Sequence, residues 1–214
     1  PEEAYRQMIS RITDINFCPT EESSQNLENE NVLGKVYTVG NTVLDNLKEY
    51  KSKCSYGDTV LVTLHRRENH SVIDQWFTEL NDIAKQYSEL KFILPVHANP
   101  NVKKHTDILT NVHCVEPMSY NHMIDTIARS KFIITDSGGL QEEGSFLNKK
   151  VIVCRKTTER PEGIYTGHLH MCKKPVDLKK LVDIINTDPI WDAPCPYGDG
   201  NSSQKICDIL LNEL

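Results

Sequence analysis

Three short stretches of this 214-residue chain set phosphate-binding residue types at points where a strand should end. In TDSGGLQEEGSF (135–146) an apolar run closes at Asp136, two glycines follow and a helical pattern begins. That order puts bare backbone N–H groups and the positive end of a helix dipole at the carboxyl edge of a sheet, where anions bind. Gly138 and Gly139 let a phosphate approach the backbone closely, and Ser137 adds a hydroxyl donor. Glu143, about one and a half turns along the helix, can accept from ribose hydroxyls. The same glycines also suit a plain strand-to-helix turn, because a glycine pair is a weak pattern by itself.

In TLHRRENH (63–70), His65, Arg66 and Arg67 place three potential cations in a row beside Glu68. A histidine there can bond a diphosphate oxygen, and arginines clamp phosphates with forked geometry. Taken alone, the run serves equally as a solvated charge patch. In RKTTERPEG (155–163) a strand runs into Thr157 and Thr158, then Glu159, Arg160 and Pro161. A threonine cap with an early proline predicts a helix start, and Arg160 then points toward the same sheet edge as Ser137. Three polar, cationic loops on one edge fit the rule that α/β ligands sit in the crevice at the strands' carboxyl ends. His168 and His170 sit two apart and could bind a metal if they lay on a strand, but no third ligand completes a metal site, so none is expected. His97, closing a strand in PVHANP, reads as a ligand contact or an ordinary turn residue, and His105, His113 and His122 as scattered polar positions. Neither a Walker A sequence nor GxGxxG occurs, which disfavours a P-loop nucleotidase and a standard dinucleotide fold.

The elements that must position these loops are legible as apolar runs alternating with amphipathic stretches. TVLVTLH (59–65), KFILPVH (91–97), VHCVEP (112–117), KFIITD (131–136) and KVIVCR (150–155) predict buried strands. Helices are expected at about 71–89, 101–110, 119–129 and 139–147. Short β-rich runs between helices imply βαβ units, a parallel sheet covered on both faces, and a doubly wound, Rossmann-like α/β domain. Residues 1–16 have helical spacing, CPTEES predicts a Thr20 helix cap, and KVYTVGNTVLDNLKEY predicts strand, glycine turn and helix. These units cannot complete a sheet alone, so residues 1–47 read as the remnant of another α/β domain. Polar residues 48–57 read as a linker and 58–195 as the second domain. Residues 196–214 read as a turn-rich break and an amphipathic helix.

The bulk numbers narrow the classes. A formal charge of -6 argues against a general nucleic-acid binder. No apolar run reaches the roughly 20 residues of a membrane span, so no membrane partner is expected. Seven single cysteines form no CxxC pair, and a reduced, cytoplasmic compartment is expected, with Cys114 and Cys154 as small core residues.

PEEAYR (1–6), CPTEESSQNL (18–27), GNTVLD (40–45), VTLHRREN (62–69), PVHANP (95–100), TDSGGLQEE (135–143), TTERPEG (157–163) and PYGDG (196–200) occur in that order. Together they resemble the non-hydrolysing, bacterial-type UDP-GlcNAc 2-epimerases over nearly the whole chain. The resemblance implies a glycosyltransferase-B-type fold of two Rossmann-like domains, the first mostly missing here, with residues 58–195 as the UDP-binding one and the last helix crossing back to the first. It implies interconversion of UDP-GlcNAc and UDP-ManNAc by elimination of UDP to an enzyme-bound 2-acetamidoglucal and re-addition. It further implies no cofactor, a place in polysaccharide biosynthesis and a homodimeric full-length protein. By the same resemblance Glu2 does acid/base work and His65 acts at the diphosphate. Ser137, Gly138, Gly139, Glu143 and Arg160 contact UDP, and Glu68 and His97 lie where bacterial members bind UDP-GlcNAc as an effector. The sequence departs from the family at Tyr5, where asparagine is usual, and near Met123, where an aromatic is frequent. The chain alone is expected to be inactive. A non-catalytic UDP-sugar-binding module, an epimerase of a related UDP-2-acetamido sugar and a glycosyltransferase of the same fold stay open as alternatives.

Overall fold

A computed structural model describes residues 1–213. The chain forms two compact units, one of residues 1–48 with those from Pro194 onward, the other Glu49–Ala193. The first unit opens with α1 (Glu2–Ser10), β1 (Ile15–Cys18), α2 (Glu21–Asn29) and β2 (Lys35–Thr38). The helical spacing of residues 1–16 therefore overreaches: the helix stops at Ser10, and Ile15 starts a strand that pairs in parallel with β2, Ile15 opposite Lys35. Strand pairing satisfies the backbone there and gives β2 its partner, which a continued helix would not supply. Thr20 caps α2 as its position predicts, its Oγ1 accepting from the Ser23 N–H at 3.1 Å.

A 3-10 helix, Thr42–Lys53, follows, with Leu44 and Leu47 fully buried. The division between the units falls inside it. The polar stretch expected as a linker from residue 48 is thus helical to Lys53, and beyond that it is held on the second unit. Ser55 N–H donates to the Ala128 carbonyl at 2.9 Å, Lys149 Nζ donates to the Ser55 carbonyl at 2.6 Å, and Tyr56 donates to the Asn148 carbonyl at 2.8 Å. Polarity suggested a linker; residues 49–57 belong to the second unit, which bonds their backbone and side chains.

The second unit runs β3 (Thr59–Thr63), α3 (Ile73–Gln86), β4 (Lys91–Pro95), α4 (Pro100–Lys103), β5 (His113–Val115), α5 (Tyr120–Arg129) and β6 (Phe132–Thr135). It continues with α6 (Gly138–Phe146), β7 (Val151–Val153), α7 (Pro161–Tyr165), β8 (Leu169–Met171) and α8 (Leu178–Thr187). Its six strands lie in the order β5-β4-β3-β6-β7-β8, each neighbouring pair parallel. This is the Rossmann order, with the chain's direction of travel reversing between β3 and β6. The helix expected at 101–110 is only the four-residue α4 and a 3-10 turn at Thr106–Ile108. β8 and α8 were not anticipated. Cys154 is buried as expected, whereas Cys114 is exposed, because β5 is an edge strand. The core gathers Trp76, Phe77, Phe92, Phe132, Ile134 and Ile152 between the sheet and its helices.

Two contacts show why the motif glycines stand where they do. A Cβ on Gly144 would lie 2.8 Å from both Ile133 Cδ1 and Val151 Cγ2, so α6 rests directly on the sheet and is buried almost all round. In the first unit, Gly40 and Gly198 have φ of +92° and +132° and meet face to face; a Cβ on Gly40 would lie 3.1 Å from Gly198 Cα. There GNTVLD and PYGDG lock together: Asn41 N–H donates to the Tyr197 carbonyl at 2.8 Å. Asp45 accepts from the Ser202 and Ser203 N–H groups at 3.0 and 2.7 Å, supplying the donors at the start of α9 (Ser202–Glu213) with an acceptor. Among the described residues no helix is long and apolar enough to cross a membrane.

Candidate functional site

The carboxyl ends of β3 and β6 meet at the topological switch point, and a buried carboxylate joins them. Asp136, fully shielded from solvent, accepts from the His65 N–H at 2.9 Å, the Arg66 N–H at 2.8 Å and Asn69 Nδ2 at 3.0 Å. Asn69 also donates to the Cys154 carbonyl at 2.9 Å and accepts from Trp76 Nε1 at 3.2 Å. One carboxylate thereby fixes the loop after β3 and, through Asn69, the end of β7.

Held in this way, His65 sets its Nδ1 3.5 Å from Asp136 Oδ1 and stacks on His97, ring centroids 4.9 Å apart at an interplanar angle of 7°. Burial lowers the His65 pKa below the usual imidazole range; the Asp136 charge opposes this, and His97 and Arg66 add to it. His97 Nδ1 accepts the Asn99 N–H at 3.1 Å. The stacked pair opens onto a cleft of about 710 Å³ shared with Arg66, Arg67, Glu68 and Arg155. Glu68 is not loose in it, because Arg155 Nε donates to its carboxylate at 2.6 Å.

The second cluster is built on the first turn of α6. Ser137 occupies the N-cap position without a side-chain cap bond, so its hydroxyl is not used up by the helix. Over Gly138 lies the Arg160 guanidinium; a Cβ on Gly138 would sit 2.7 Å from Arg160 Nη1. Gly139 is exposed, and a Cβ there would meet nothing within 4 Å. A cation laid against the positive end of a helix is unfavourable unless anions offset it. Glu142 supplies one, accepting from Arg160 Nε at 2.5 Å, and a bound phosphate at Gly138–Gly139 would supply the rest. Glu143, one residue on, is buried, and its carboxyl is pushed up to about 6, first by burial and then by the Glu142 charge. No described hydrogen-bond donor reaches it, so it stands ready for donors from a ligand.

The expected threonine cap in RKTTERPEG is not what forms. Arg160 itself is the N-cap of α7 with Pro161 following, while Thr158 donates to Gln141 Oε1 at 2.7 Å and accepts the Arg160 N–H at 3.2 Å. Thr158 thus binds the loop to α6, where it orients Arg160. His168 and His170 lie on and beside β8, where burial lowers both pKa values, His168 to about 4. Among the described residues no group of three or more His, Cys, Asp or Glu is placed to hold a metal.

Across residues 1–211 the sequence matches the model of a family described as UDP-N-acetylglucosamine 2-epimerase. The chain belongs to the UDP-N-acetylglucosamine 2-epimerase family. It is 37% identical over 245 residues to the UDP-N-acetylglucosamine 2-epimerase of Campylobacter jejuni, covering 99% of this chain and 64% of that protein. With the Bacillus subtilis (strain 168) UDP-N-acetylglucosamine 2-epimerase it shares 35% identity, covering 99% and 61%. The crystal structure of UDP-GlcNAc 2-epimerase from Neisseria meningitidis bound to UDP-GlcNAc is similar with a TM-score of 0.88 and 34% identity, covering 99% of this chain and 65% of that one. The chain therefore spans just under two thirds of the length of these relatives. Its parallel-sheet α/β architecture is that of the glycosyltransferase-B-type epimerases.

Of the residues that the resemblance to these epimerases singles out, the structure gathers Ser137, Gly138, Gly139, Glu143 and Arg160 around the start of α6. His65, His97 and Glu68 share the adjoining cleft, joined to the first group through Asp136 and Arg155. Glu2 lies in the other unit, exposed at the start of α1, where a backbone N–H lowers its pKa. It lines a separate cleft of about 750 Å³ with Tyr5, Phe17 and Cys18. Met123 is half-buried on α5. Sequence reasoning missed Asn69, Glu142 and Arg155 as site-builders; all three stand inside the quoted motifs or directly beside them, but the partners Asp136, Arg160 and Glu68 lie 67, 18 and 87 positions away. Asp136→Asn should test the joint between the loops. The variant replaces an acceptor-only group by an amide whose NH₂ faces N–H donors, and should lose roughly 1.5–3 kcal/mol of stability in urea unfolding followed by tryptophan fluorescence. Because the Asp136 charge raises the His65 pKa, the same variant should lower it further in an NMR titration.

Proposed function

We propose that this chain forms the UDP-gripping part of an enzyme that interconverts UDP-N-acetylglucosamine and UDP-N-acetylmannosamine. The observation that carries the reading is the cation held over Gly138 at the positive start of α6, with the unsatisfied Glu143 carboxylate on the same helix. A nucleoside diphosphate fits that pair: its diphosphate offsets the positive charge, and its ribose hydroxyls donate to Glu143. The similarity to an epimerase whose crystal structure holds UDP-GlcNAc supports the choice of ligand.

In this reading the C2 proton of the sugar is removed, the C1–O bond to the diphosphate breaks and a C1=C2 double bond forms, giving 2-acetamidoglucal. UDP then re-adds at C1 and a proton returns to the opposite face of C2. Arg160, the α6 N–H groups and His65 stabilise the leaving diphosphate. Glu2 serves as an acid/base group. Ser137 adds its hydroxyl to the phosphate contacts. Since the chain spans under two thirds of its relatives' length, turnover is assigned to a protein of that full length and UDP binding to these 214 residues, which should not epimerise alone.

Full-length protein incubated with UDP-GlcNAc in D₂O should yield UDP-ManNAc and carry deuterium at C2 by NMR; a product without C2 deuterium would rule out the proton-abstraction route. The Glu143 carboxyl gives a second test on the 214-residue chain. Ribose donors favour the ionised form, so binding lowers its pKa. Affinity is then fully present above about 6 and is lost as pH falls through that value. UDP-GlcNAc, whose esterified diphosphate does not titrate in this range, should bind about tenfold more weakly at pH 5 than at pH 7, and Glu143→Gln should flatten the profile in calorimetry.

A further inference from the structure

The guanidinium over Gly138 is the end of a row of alternating charges. Arg155 Nε donates to Glu68 at 2.6 Å, and its two other nitrogens fork onto Glu159 at 2.6 and 3.0 Å. Glu159 lies 3.4 Å from Arg160 Nη1, and Arg160 Nε donates to Glu142 at 2.5 Å. Arg155 is the buried member, its side chain 9% exposed, whereas the Glu159 side chain is 61% exposed.

These distances describe a competition for Arg160. Nη1 is the atom that would lie 2.7 Å from a Cβ on Gly138, and it is also the atom nearest the Glu159 carboxylate. Glu159 is its neighbour in sequence, close enough to form a full charge-assisted bond, which runs at about 2.7–2.9 Å. Its contact is instead a long one of 3.4 Å, because the Arg155 fork draws both carboxylate oxygens with shorter bonds of 2.6 and 3.0 Å and holds the carboxyl down at about 2. Arg155 is fixed in turn by Glu68 on its remaining nitrogen, so the fork has one orientation. Without Arg155, Glu159 would lose its two short bonds and stand next to the Arg160 guanidinium, already 3.4 Å away.

We propose that Arg155 is a positioning residue for the anion site: it sequesters the competing Glu159 carboxylate, so that Arg160 stays at Gly138, facing the ligand's diphosphate, rather than closing on Glu159. The proposal rests on reading the start of α6 as the UDP site. It assigns Arg155 a role exerted entirely through a second residue, which makes a distinctive double-mutant signature.

The test is calorimetric titration of UDP into the 214-residue chain as wild type, Arg155→Met, Glu159→Gln and the double variant. Arg155→Met should weaken UDP about tenfold, Glu159→Gln should bind within about twofold of wild type, and the double variant should recover to within about threefold. Recovery is expected because, with no carboxylate at 159, Arg160 has nothing to close on even when Arg155 is gone. If Arg155→Met does not fold, Arg155→Lys, which keeps the charge but not the fork, should show the same loss and the same recovery with Glu159→Gln. Unchanged UDP binding in the Arg155 variants, or a double variant as weak as the single, would overturn the positioning role. A wild-type chain that takes up no UDP would instead overturn the functional reading on which it rests.

Discussion

The site depends on one buried carboxylate. Asp136 sits at the switch point of the sheet with no exposure to solvent, a position that costs several kcal/mol unless its oxygens are occupied. They are occupied by the two backbone N–H groups that begin the His65–Arg66 loop and by Asn69, which itself reaches the end of β7. The ends of three neighbouring strands are thereby fixed around one side chain. His65 faces its stacked partner His97, and Ser137 starts α6, from positions one bond network apart. A ligand at the sheet edge would meet groups already in place, and little ordering of side chains would be needed on binding.

Around that anchor the charges are arranged for an anion. Arg160 lies over a helix start whose own dipole is positive, and Gly138 is the only residue type that leaves room for it. Glu142 and Thr158 hold the arginine and its loop from the α6 side, and Gly144 lets α6 lie against β6 and β7 so that its first turn reaches the sheet edge. Sheet, helix and cation are therefore not separable features: moving α6 outward would carry the N–H groups and Glu143 away together.

Much of this was legible in the sequence, for identifiable reasons. Strands β3, β6 and β7 are buried on both faces and so read as unbroken apolar runs, and the turn chemistry of TDSGG and TTERP marks where β6 and β7 end. The parts that were not legible depend on partners distant in sequence. Three-residue β8 is too short to show a pattern of its own: it holds one buried residue, Leu169, beside the polar His168 and His170, and it is defined by its pairing with β7. The stretch 48–57 looks like a linker until Ala128, Asn148 and Lys149 are seen to take up its backbone and side chains. Cys114 looked like core because its run is apolar, and only the strand order shows that β5 lies at an edge. The pairing of Arg155 with both Glu68 and Glu159 joins residues 87 positions apart and leaves no trace in local pattern.

The most direct measurement is a crystal structure of the chain with UDP. The account predicts the diphosphate within hydrogen-bond distance of the Gly138 and Gly139 N–H groups and of Arg160, with the ribose hydroxyls on Glu143. A diphosphate seated wholly among His65, Arg66 and Arg67, with the start of α6 bare and Arg160 turned onto Glu159, would contradict it.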